Sequence, residues 1–341
     1  MSNTLDESKY IIHGAPMSLF TRKLEAAFDF YGVDYQQARK GTRDDSDLER
    51  RAGSHQIPVL TTPENWAVAD TTPIMNFMDQ RFPARRMFPL GLAGLMVHVV
   101  EEILDEWVAR VMVHYRWHYP ENTQDVLARG FGVELTLEEA MQHPVAQWGP
   151  RACRATGTEL PEHQQAAERE YIALLEALEQ QLAETAFALG ERPCAVDCML
   201  MGGLRAHTNR DPIPDLSVFE RTLAWDAQAS TGWQGGGAAL AVAEMTGFGH
   251  HVLALGRDHY APFLLGNAAA LAAGQKAFVV DTYGVPCSYL TRPYPERSRQ
   301  MICDRIRYQL NDAEREAAQG WLHDYGLLEC FWPAGGVIQQ G

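Results

Sequence analysis

Gln56-Ile-Pro-Val-Leu60 and Ala67-Val-Ala-Asp-Thr-Thr-Pro73 decide the fold of this chain, and a helical pattern follows them. A proline is tolerated in a strand at its first residue or on an edge, because it has no N–H to donate to the ladder. Ile57-Pro58 is therefore expected to open a buried strand, and an X-Pro bond is the one type that becomes cis at modest cost. The helix after Asp70 starts with two hydroxyls and a proline, which is a strong start signal. A strand opening beside a helix N-terminus predicts a place for a small, extended, anionic peptide.

Short strands and helices alternate on both sides of this stretch. The pattern predicts the order β-α-β-α-β-β-α for the first part of the chain. The predicted strands are Tyr10–His13, Asp34–Ala38, Pro58–Thr61 and Trp66–Ala69, and the predicted helices are Ser18–Gly32, Asp45–Ala52 and Thr71–Phe82.

Long amphipathic helices dominate the chain after Pro89. Gly232–Gly237 contains four glycines and is the best linker in the sequence. The apolar spacing predicts helices at Leu92–Trp117, Pro161–Ala188, Cys194–His207, Ala238–Leu255, Pro262–Ala273, 295–310 and 312–325. A hairpin is predicted over Ala277–Leu290, with its turn at Tyr283-Gly284.

Charge and cysteine usage exclude several classes of partner. The 341 residues carry a net charge of −15, which repels phosphate backbones and anionic lipid, so we expect neither nucleic acid nor membrane as a partner. No run approaches the length of a membrane span, and the N-terminus has no signal-peptide pattern. The six cysteines include no C-x-x-C pair, which favours reduced thiols in a cytoplasm over disulfides or a metal site.

Ser18 stands where a helix begins directly after a strand. One interpretation is helix capping, in which serine satisfies an orphan N–H and stabilises the helix by about 1 kcal/mol. The other is that Ser18 donates to a thiolate held at this helix start, since a helix N-terminus and a hydroxyl donor together lower the pKa of a thiol. The two roles are compatible, because a hydroxyl can rotate from backbone to ligand.

Asp70 and Thr71 allow the same choice between a helix cap and a binding site. As binding groups, Thr71 and the helix N–H groups take a carboxylate, as helix starts do for anions, and Asp70 pairs with an ammonium. Ile57 precedes a proline, and its N–H and C=O can bind an extended ligand like a short added strand.

Three segments resemble the thioredoxin-like N-terminal domain of the glutathione transferase family, namely Gly14–Lys23, Gln56–Leu60 and Asp70–Ile74. A fourth, Glu191–His207, is similar to the buried capping motif of that family's all-helical second domain. The resemblance implies an α/β N-terminal thioredoxin-like domain followed by an all-α C-terminal domain with a helical extension. We expect these parts, with a hairpin in the extension and the extension packed on the helical domain, at residues 8–86, 92–225 and 238–330.

The resemblance also implies a role for each matching residue. Ser18 corresponds to the serine that activates the glutathione thiol in serine-type members, and Asp197 to the aspartate that caps the sixth helix. The other matching residues hold glutathione: Ile57 before cis Pro58 clamps the cysteinyl unit, Asp70 and Thr71 hold the γ-glutamyl end, and Gln56 lies near the glycyl carboxylate. Glutathione as co-substrate and a homodimer are what the same resemblance implies, whereas the expected cytoplasmic location and absence of a metal rest on the cysteine pattern.

The second substrate in this fold is a hydrophobic electrophile, which binds between the first and the fourth helix. Aromatic residues and methionine at helical spacing are the candidates for this pocket, but such a stripe is also typical of a core or a dimer interface. The candidate residues of the electrophile pocket are Met17, Phe20, Trp107, Val111, Tyr115 and Arg116.

No cysteine precedes Cys153, so a protein thiol is not expected beside Ser18. We therefore predict a glutathione transferase-like enzyme in which the glutathione thiolate, activated by Ser18, attacks a hydrophobic electrophile or assists an isomerisation. The alternative is a non-catalytic interaction or scaffold protein of the same fold, which binds its partner through residues 232–341.

Overall fold

The computed structural model describes residues 5–42, 44–237 and 245–333. Its first part is a small four-stranded sheet covered by helices. The elements are β1 (Tyr10–Gly14), α1 (Leu19–Tyr31), β2 (Tyr35–Arg39), α2 (Ser46–Ala52), β3 (Val59–Thr61), β4 (Ala67–Ala69) and α3 (Thr71–Arg81). The predicted order β-α-β-α-β-β-α is confirmed.

The sheet has the strand order β2-β1-β3-β4. β1 is parallel to β2, as the intervening helix requires, and antiparallel to β3. β3 and β4 form an antiparallel pair, with Leu60 opposite Ile12 on one side and Val68 on the other. This topology is that of a thioredoxin-like domain, in agreement with the fold class that the resemblance implies.

The remainder of the described chain is mostly helical. The first group of helices comprises α4 (Gly91–Glu102), α5 (Ala109–His118), α6 (Pro120–Phe131), α7 (Leu137–Gln142), α8 (Gly149–Thr156), α9 (Pro161–Gln181), α10 (Ala195–Gly203) and α11 (Glu220–Gly232). The second group comprises α12 (Gly247–Leu255), α13 (Ala261–Ala272), β5 (Ala277–Thr282), β6 (Val285–Leu290), α14 (Pro293–Gln309), α15 (Asp312–Asp324) and α16 (Leu328–Phe331). Three π-helical turns occupy Ile103–Val108, Leu204–Thr208 and Gly256–Tyr260, and two 3₁₀ turns occupy Pro83–Arg85 and Ala146–Trp148.

The predicted helices are present, with differences at their ends. Leu92–Trp117 forms one continuous rod, made of α4, the first π turn and α5. The helix predicted from Ala238 begins at Gly247 with Thr246 as its cap, and residues 238–244 lie outside the described residues. Five further helices, α6, α7, α8, α11 and α16, were not predicted from the sequence. α7, α8 and α16 are short, with 6, 8 and 4 residues, and are too short to show a long apolar stripe; α7 instead begins with the capping box of Thr136 and Glu139.

The hairpin of β5 and β6 turns at the predicted residues. Tyr283 and Gly284 have φ values of 56° and 76°, so both lie in the left-handed region. Two successive residues with positive φ are typical of the tight turn whose twist matches the flanking strands.

Helix α1 joins the sheet to the helical body through α10 and α4. A Cβ on Gly202 of α10 would lie 2.8 Å from the carbonyl oxygen of Leu19, so only glycine permits this close approach. Lys23 on the same helix is fully buried, and its ammonium contacts the carboxylates of Glu101 and Asp105. Lys23 therefore links α1 of the sheet domain to the α4–α5 rod through buried ion pairs.

Residues 245–333 pack against α4 from its other side. The hydroxyl of Tyr260, itself fully buried, donates to Glu102 over 2.5 Å. Arg305 on α14 donates to the side chain of Asn76 on α3 over 2.9 Å. A Cβ on Gly94 would meet the Pro89 carbonyl and the Arg305 guanidinium. Helix α4 is therefore buried between the first part of the chain and this extension.

Candidate functional site

A cavity of about 520 Å³ lies where the sheet domain, the α4–α5 rod and the extension meet. Its volume is within the range of small-molecule sites, about 300–1,000 Å³. The structure brings together at this cavity all five residues predicted to hold glutathione, which are Gln56, Ile57, Pro58, Asp70 and Thr71.

The loop before β3 presents an open stretch of backbone to the cavity. The Ile57–Pro58 peptide bond is cis, and Pro58 is buried while Gln56 is exposed. Within the described residues, neither the N–H nor the C=O of Ile57 forms a hydrogen bond, because β3 begins its pairing at Val59. Ile57 therefore offers one donor and one acceptor to a ligand.

Asp70 occupies a conformation that few residues other than glycine adopt. Its backbone has φ 74° and ψ 132°, and its side chain makes no capping hydrogen bond to α3. Backbone strain of this type costs on the order of 1–3 kcal/mol and clusters at functional sites. Burial raises the pKa of the Asp70 carboxyl, and the neighbouring Asp105 carboxylate adds to the rise. The cap interpretation of Asp70 is thus not realised, and its carboxylate lines the cavity.

Thr71 is the first residue of α3 and is buried. The hydroxyl of its neighbour Thr72 is used inside the protein, because it donates to Glu101 over 3.2 Å. Thr71 instead lines the cavity together with the start of the helix. Exposed N–H groups and the helix dipole favour an anion at such a place.

Ser18 caps α1 and does not line the cavity. Its Oγ accepts a hydrogen bond from the Thr21 N–H over 3.3 Å, and its φ and ψ of −93° and 122° are those of an N-cap. The hydroxyl proton of Ser18 is not used in this bond. The role of Ser18 as thiol activator stays a prediction.

Of the six residues predicted to form the electrophile pocket, Phe20 alone lines this cavity. Trp107 and Val111 are buried in the core. Arg116 is held by the carbonyls of Met17 and Ala206, each at 2.7 Å. Tyr115 is buried too, and it borders a separate groove beside α9.

The reason is the direction in which the α4–α5 rod faces. The residues of the rod that line the cavity are sequence neighbours of the predicted stripe and lie on an adjacent face of the helix. The start of α14 closes the cavity. These lining residues were not predicted from the sequence; they include Asp105, Glu106, Ala109, Arg110, Val113, Arg292, Tyr294 and Ser298. A signal was present in Glu101-Glu-Ile-Leu-Asp-Glu106, because four acids in an apolar helix require buried partners.

Two of these acids are neutralised by cations from other elements. Asp105 contacts Lys23, and Glu106 pairs with Arg292 over 3.1 Å. The buried side chain of Asn267 holds Arg292 in place, since it contacts the Arg292 C=O over 2.8 Å and the Arg292 N–H over 2.9 Å. The cavity wall contributed by the extension is therefore a fixed part of the site.

Asp197 lies away from the cavity and supports α10. Its carboxylate accepts hydrogen bonds from the Ala188 N–H over 2.9 Å and from the Cys194 N–H over 2.8 Å. Asp197 is fully buried. The structure thus places it as a cap, with no contact to the cavity.

Across residues 5–42, 44–237 and 245–333, no cluster of three or more His, Cys, Asp or Glu side chains has an arrangement that could hold a metal ion. In the same part of the chain, no helix combines the length and the apolar character needed to cross a bilayer.

Several solved structures are similar to part of this chain at low sequence identity. A glutathione S-transferase from Rhodospirillum rubrum F11 is 14% identical with a TM-score of 0.45, and the match covers 65% of this chain and 90% of that chain. The beta-etherase LigF from Sphingobium sp. strain SYK-6 is 15% identical with a TM-score of 0.45, covering 65% and 97%. A glutathione S-transferase from Methylobacillus flagellatus KT with GSH bound is 15% identical with a TM-score of 0.41, covering 65% and 96%.

No curated protein matches the chain. A family model does match: residues 12–86 fit the model of the glutathione S-transferase N-terminal domain. The match spans β1 to the end of α3, including the strand opening at Ile57-Pro58 and the helix start at Asp70-Thr71. Residues 12–86 of this chain are therefore similar to the glutathione S-transferase N-terminal domain.

Proposed function

We propose that this protein is a glutathione transferase-like enzyme that binds glutathione in the cavity beside Asp70. One observation carries the proposal. Two segments far apart in sequence, Gln56–Pro58 and Asp70-Thr71, meet at the same cavity with free backbone groups and a carboxylate that is not used as a cap. The Asp70 side chain makes no capping hydrogen bond to α3, so the strained backbone at Asp70 is explained by a role in ligand binding.

The proposed binding mode assigns a complementary group to each end of the tripeptide. Asp70 pairs with the γ-glutamyl ammonium, and Thr71 with the α3 N-terminus binds the adjacent carboxylate. The free N–H and C=O of Ile57 bind the cysteinyl unit as a short antiparallel pair. Gln56, exposed at the rim, binds the glycyl carboxylate.

The proposed reaction uses the sulfur of glutathione as the nucleophile. The thiol loses its proton to solvent, and the resulting thiolate forms a bond to an electrophilic carbon while the leaving group departs with the bonding electron pair. Ser18 donates the proton of its hydroxyl as a hydrogen bond to the thiolate, which lowers the pKa of the thiol. The same thiolate can add to and leave a double bond in an isomerisation, with no net change in glutathione.

Calorimetric titration of glutathione into the full chain tests the proposal. We expect binding with a dissociation constant in the micromolar to millimolar range, and a loss of at least tenfold in affinity for Asp70→Asn. Absence of heat at millimolar glutathione would favour the scaffold alternative. Glutathione binding without conjugation to a chlorodinitrobenzene would support the proposed binding site and contradict the proposed transferase activity.

The proposed enzyme acts as a homodimer in the cytoplasm. Sedimentation velocity of the purified chain checks the first statement, and a single species at the mass of the monomer would contradict it.

A further inference from the structure

The cavity has a second group of polar side chains, which the proposed glutathione mode does not use. Ser298 on α14 and Arg110 on α5 both line the cavity. The two residues come from segments outside the thioredoxin-like domain, one of them from the extension. They therefore face the space that is left for the second substrate.

Both side chains are nine-tenths buried or more and have donors without partners. Ser298 is 8% exposed and lines the cavity, and its hydroxyl forms no hydrogen bond with the described residues. Arg110 is 2% exposed; its Nη2 donates to Glu170 over 3.0 Å and also to the Tyr283 hydroxyl, while its Nε and Nη1 have no hydrogen-bond partner among the described residues. The Ser298 hydroxyl at the cavity wall is free to donate to a ligand, and the Arg110 guanidinium of the same wall has N–H groups without an acceptor, so this wall suits a ligand that brings acceptors.

The carboxylates of the same wall are already paired or assigned to another ligand group, so they do not set the charge preferred for the second substrate. Asp105 contacts Lys23 and Glu106 pairs with Arg292, so both carboxylates have cationic partners from the protein. Asp70 is the remaining acid in the lining, and the proposed function assigns it to the glutathione ammonium. What is left over on this wall is a set of donors, which suits an anionic oxygen.

The rest of the wall is apolar and partly aromatic. Phe20, Val113 and Tyr294 line the cavity with Ala109 and Pro293. A flat ring suits such surroundings, since ligand pockets combine an apolar lining with a few polar groups that fix orientation.

We propose that Ser298 and Arg110 bind the carboxylate of the second substrate, so that this protein prefers aromatic electrophiles with a carboxylate on the ring over uncharged ones. The inference rests on the proposed function, because it names the substrate class for the same cavity. It also gives the extension a direct part in substrate choice through Ser298.

The test measures binding of two rings that have no leaving group and cannot react. Dinitrobenzoate and its uncharged parent dinitrobenzene are titrated by calorimetry into the full chain saturated with glutathione. We expect dinitrobenzoate to bind at least tenfold more tightly. Ser298→Ala is expected to lower that affinity by about tenfold or more, the range for a lost hydrogen bond to a charged group, and to leave dinitrobenzene within twofold.

Ser298→Ala is a safe variant for this purpose, because the hydroxyl it removes has no hydrogen-bond partner in the part of the chain that the structure describes. Thr156→Val is the matched control: Thr156 also lines the cavity, but its hydroxyl already donates to the Ala152 carbonyl over 3.0 Å. The control should affect both rings alike.

Equal affinities for the two rings, no binding of either ring, or a preference that survives in Ser298→Ala would overturn the inference. These outcomes differ from a failure of the proposed function, which would appear earlier, as absence of glutathione binding to the wild-type chain.

Discussion

At the scale of single residues, Asp70 combines a strained backbone with a carboxylate that burial disfavours. A carboxyl whose pKa is raised in the folded state contributes stability that is present below its unfolded pKa and is lost as the pH rises through its folded pKa. At neutral pH the ionised Asp70 therefore costs stability. A residue that is unfavourable for folding and kept at a cavity is typical of a binding site.

Asp70→Asn should consequently separate stability from binding. We expect the variant to be more stable than the wild type at pH 7, by on the order of 0.5–1 kcal/mol, and to lose this advantage below the ordinary carboxyl range. Wild-type glutathione affinity should fall as the pH is lowered through the raised pKa of Asp70, whereas the variant should bind weakly at every pH. Thermal melts and calorimetry across pH 4–8 measure both effects. A variant that is less stable at pH 7 would mean that Asp70 supports the fold.

Ser18 can be tested in a similar way, because its capping role predicts one size of effect and its catalytic role another. Loss of the cap in Ser18→Ala should lower the free energy of unfolding by about 1 kcal/mol. If Ser18 also activates the thiol, turnover per folded molecule should fall by at least tenfold, and the pKa of bound glutathione should rise. Thiolate absorbance against pH measures that pKa. An unchanged pKa and turnover would leave Ser18 with the capping role alone.

At the scale of elements, α10 depends on one buried carboxylate. Asp197 accepts from the N–H groups of Ala188 and Cys194 and has no contact with the cavity. Asp197→Ala would leave two buried donors unsatisfied, at about 1–3 kcal/mol each. We expect a loss of about 2–6 kcal/mol in denaturant unfolding, with unchanged glutathione affinity for the molecules that remain folded. Asp197→Asn, which keeps one acceptor, should lose less.

The elements around the cavity show what the sequence can and cannot predict. β3 and α3 carry their own signals, a proline at a strand start and hydroxyls at a helix start, so Ile57 and Thr71 could be placed from local chemistry. The cavity-facing side of the α4–α5 rod could not be placed. Its direction depends on the π turn at Ile103–Val108, and apolar spacing assumes an uninterrupted α-helix.

Ser298 was missed for a different reason. No pattern near Ser298 in the sequence marks a binding site. Ser298 reaches the cavity because Asn267 and Glu106 hold Arg292, the residue directly before α14. Contacts between residues so far apart in the chain belong to tertiary structure and leave no local pattern.

At the scale of the whole molecule, the extension is part of the body that it covers. α4 lies between the sheet domain and residues 245–333, and the side chains that meet it include the fully buried Tyr260. The extension also supplies part of the cavity wall. It is therefore expected to be needed for both folding and binding.

A chain that stops at Trp233 tests this expectation. Removal of α12 to α16 would expose the apolar face of α4 and leave Glu102 without the Tyr260 hydroxyl. We expect the truncated protein to aggregate or to lose its near-ultraviolet circular dichroism, with no glutathione binding. Size-exclusion chromatography with the full chain as control measures the outcome. A monodisperse truncated chain that unfolds cooperatively would show that the extension is a separate module.

The π turn at Ile103–Val108 makes the chemistry of the cavity depend on a count of residues. A π turn closes its hydrogen bond one residue later than an α turn, so it holds one residue more. Deleting a single residue there would restore the α pitch and turn α5 by about 100° relative to α4. Val111 would then take the place of Arg110, and an isopropyl group would replace a guanidinium in the wall. The phase of one helix, set by a single added residue, thus decides whether this cavity offers charge or hydrocarbon to its second substrate.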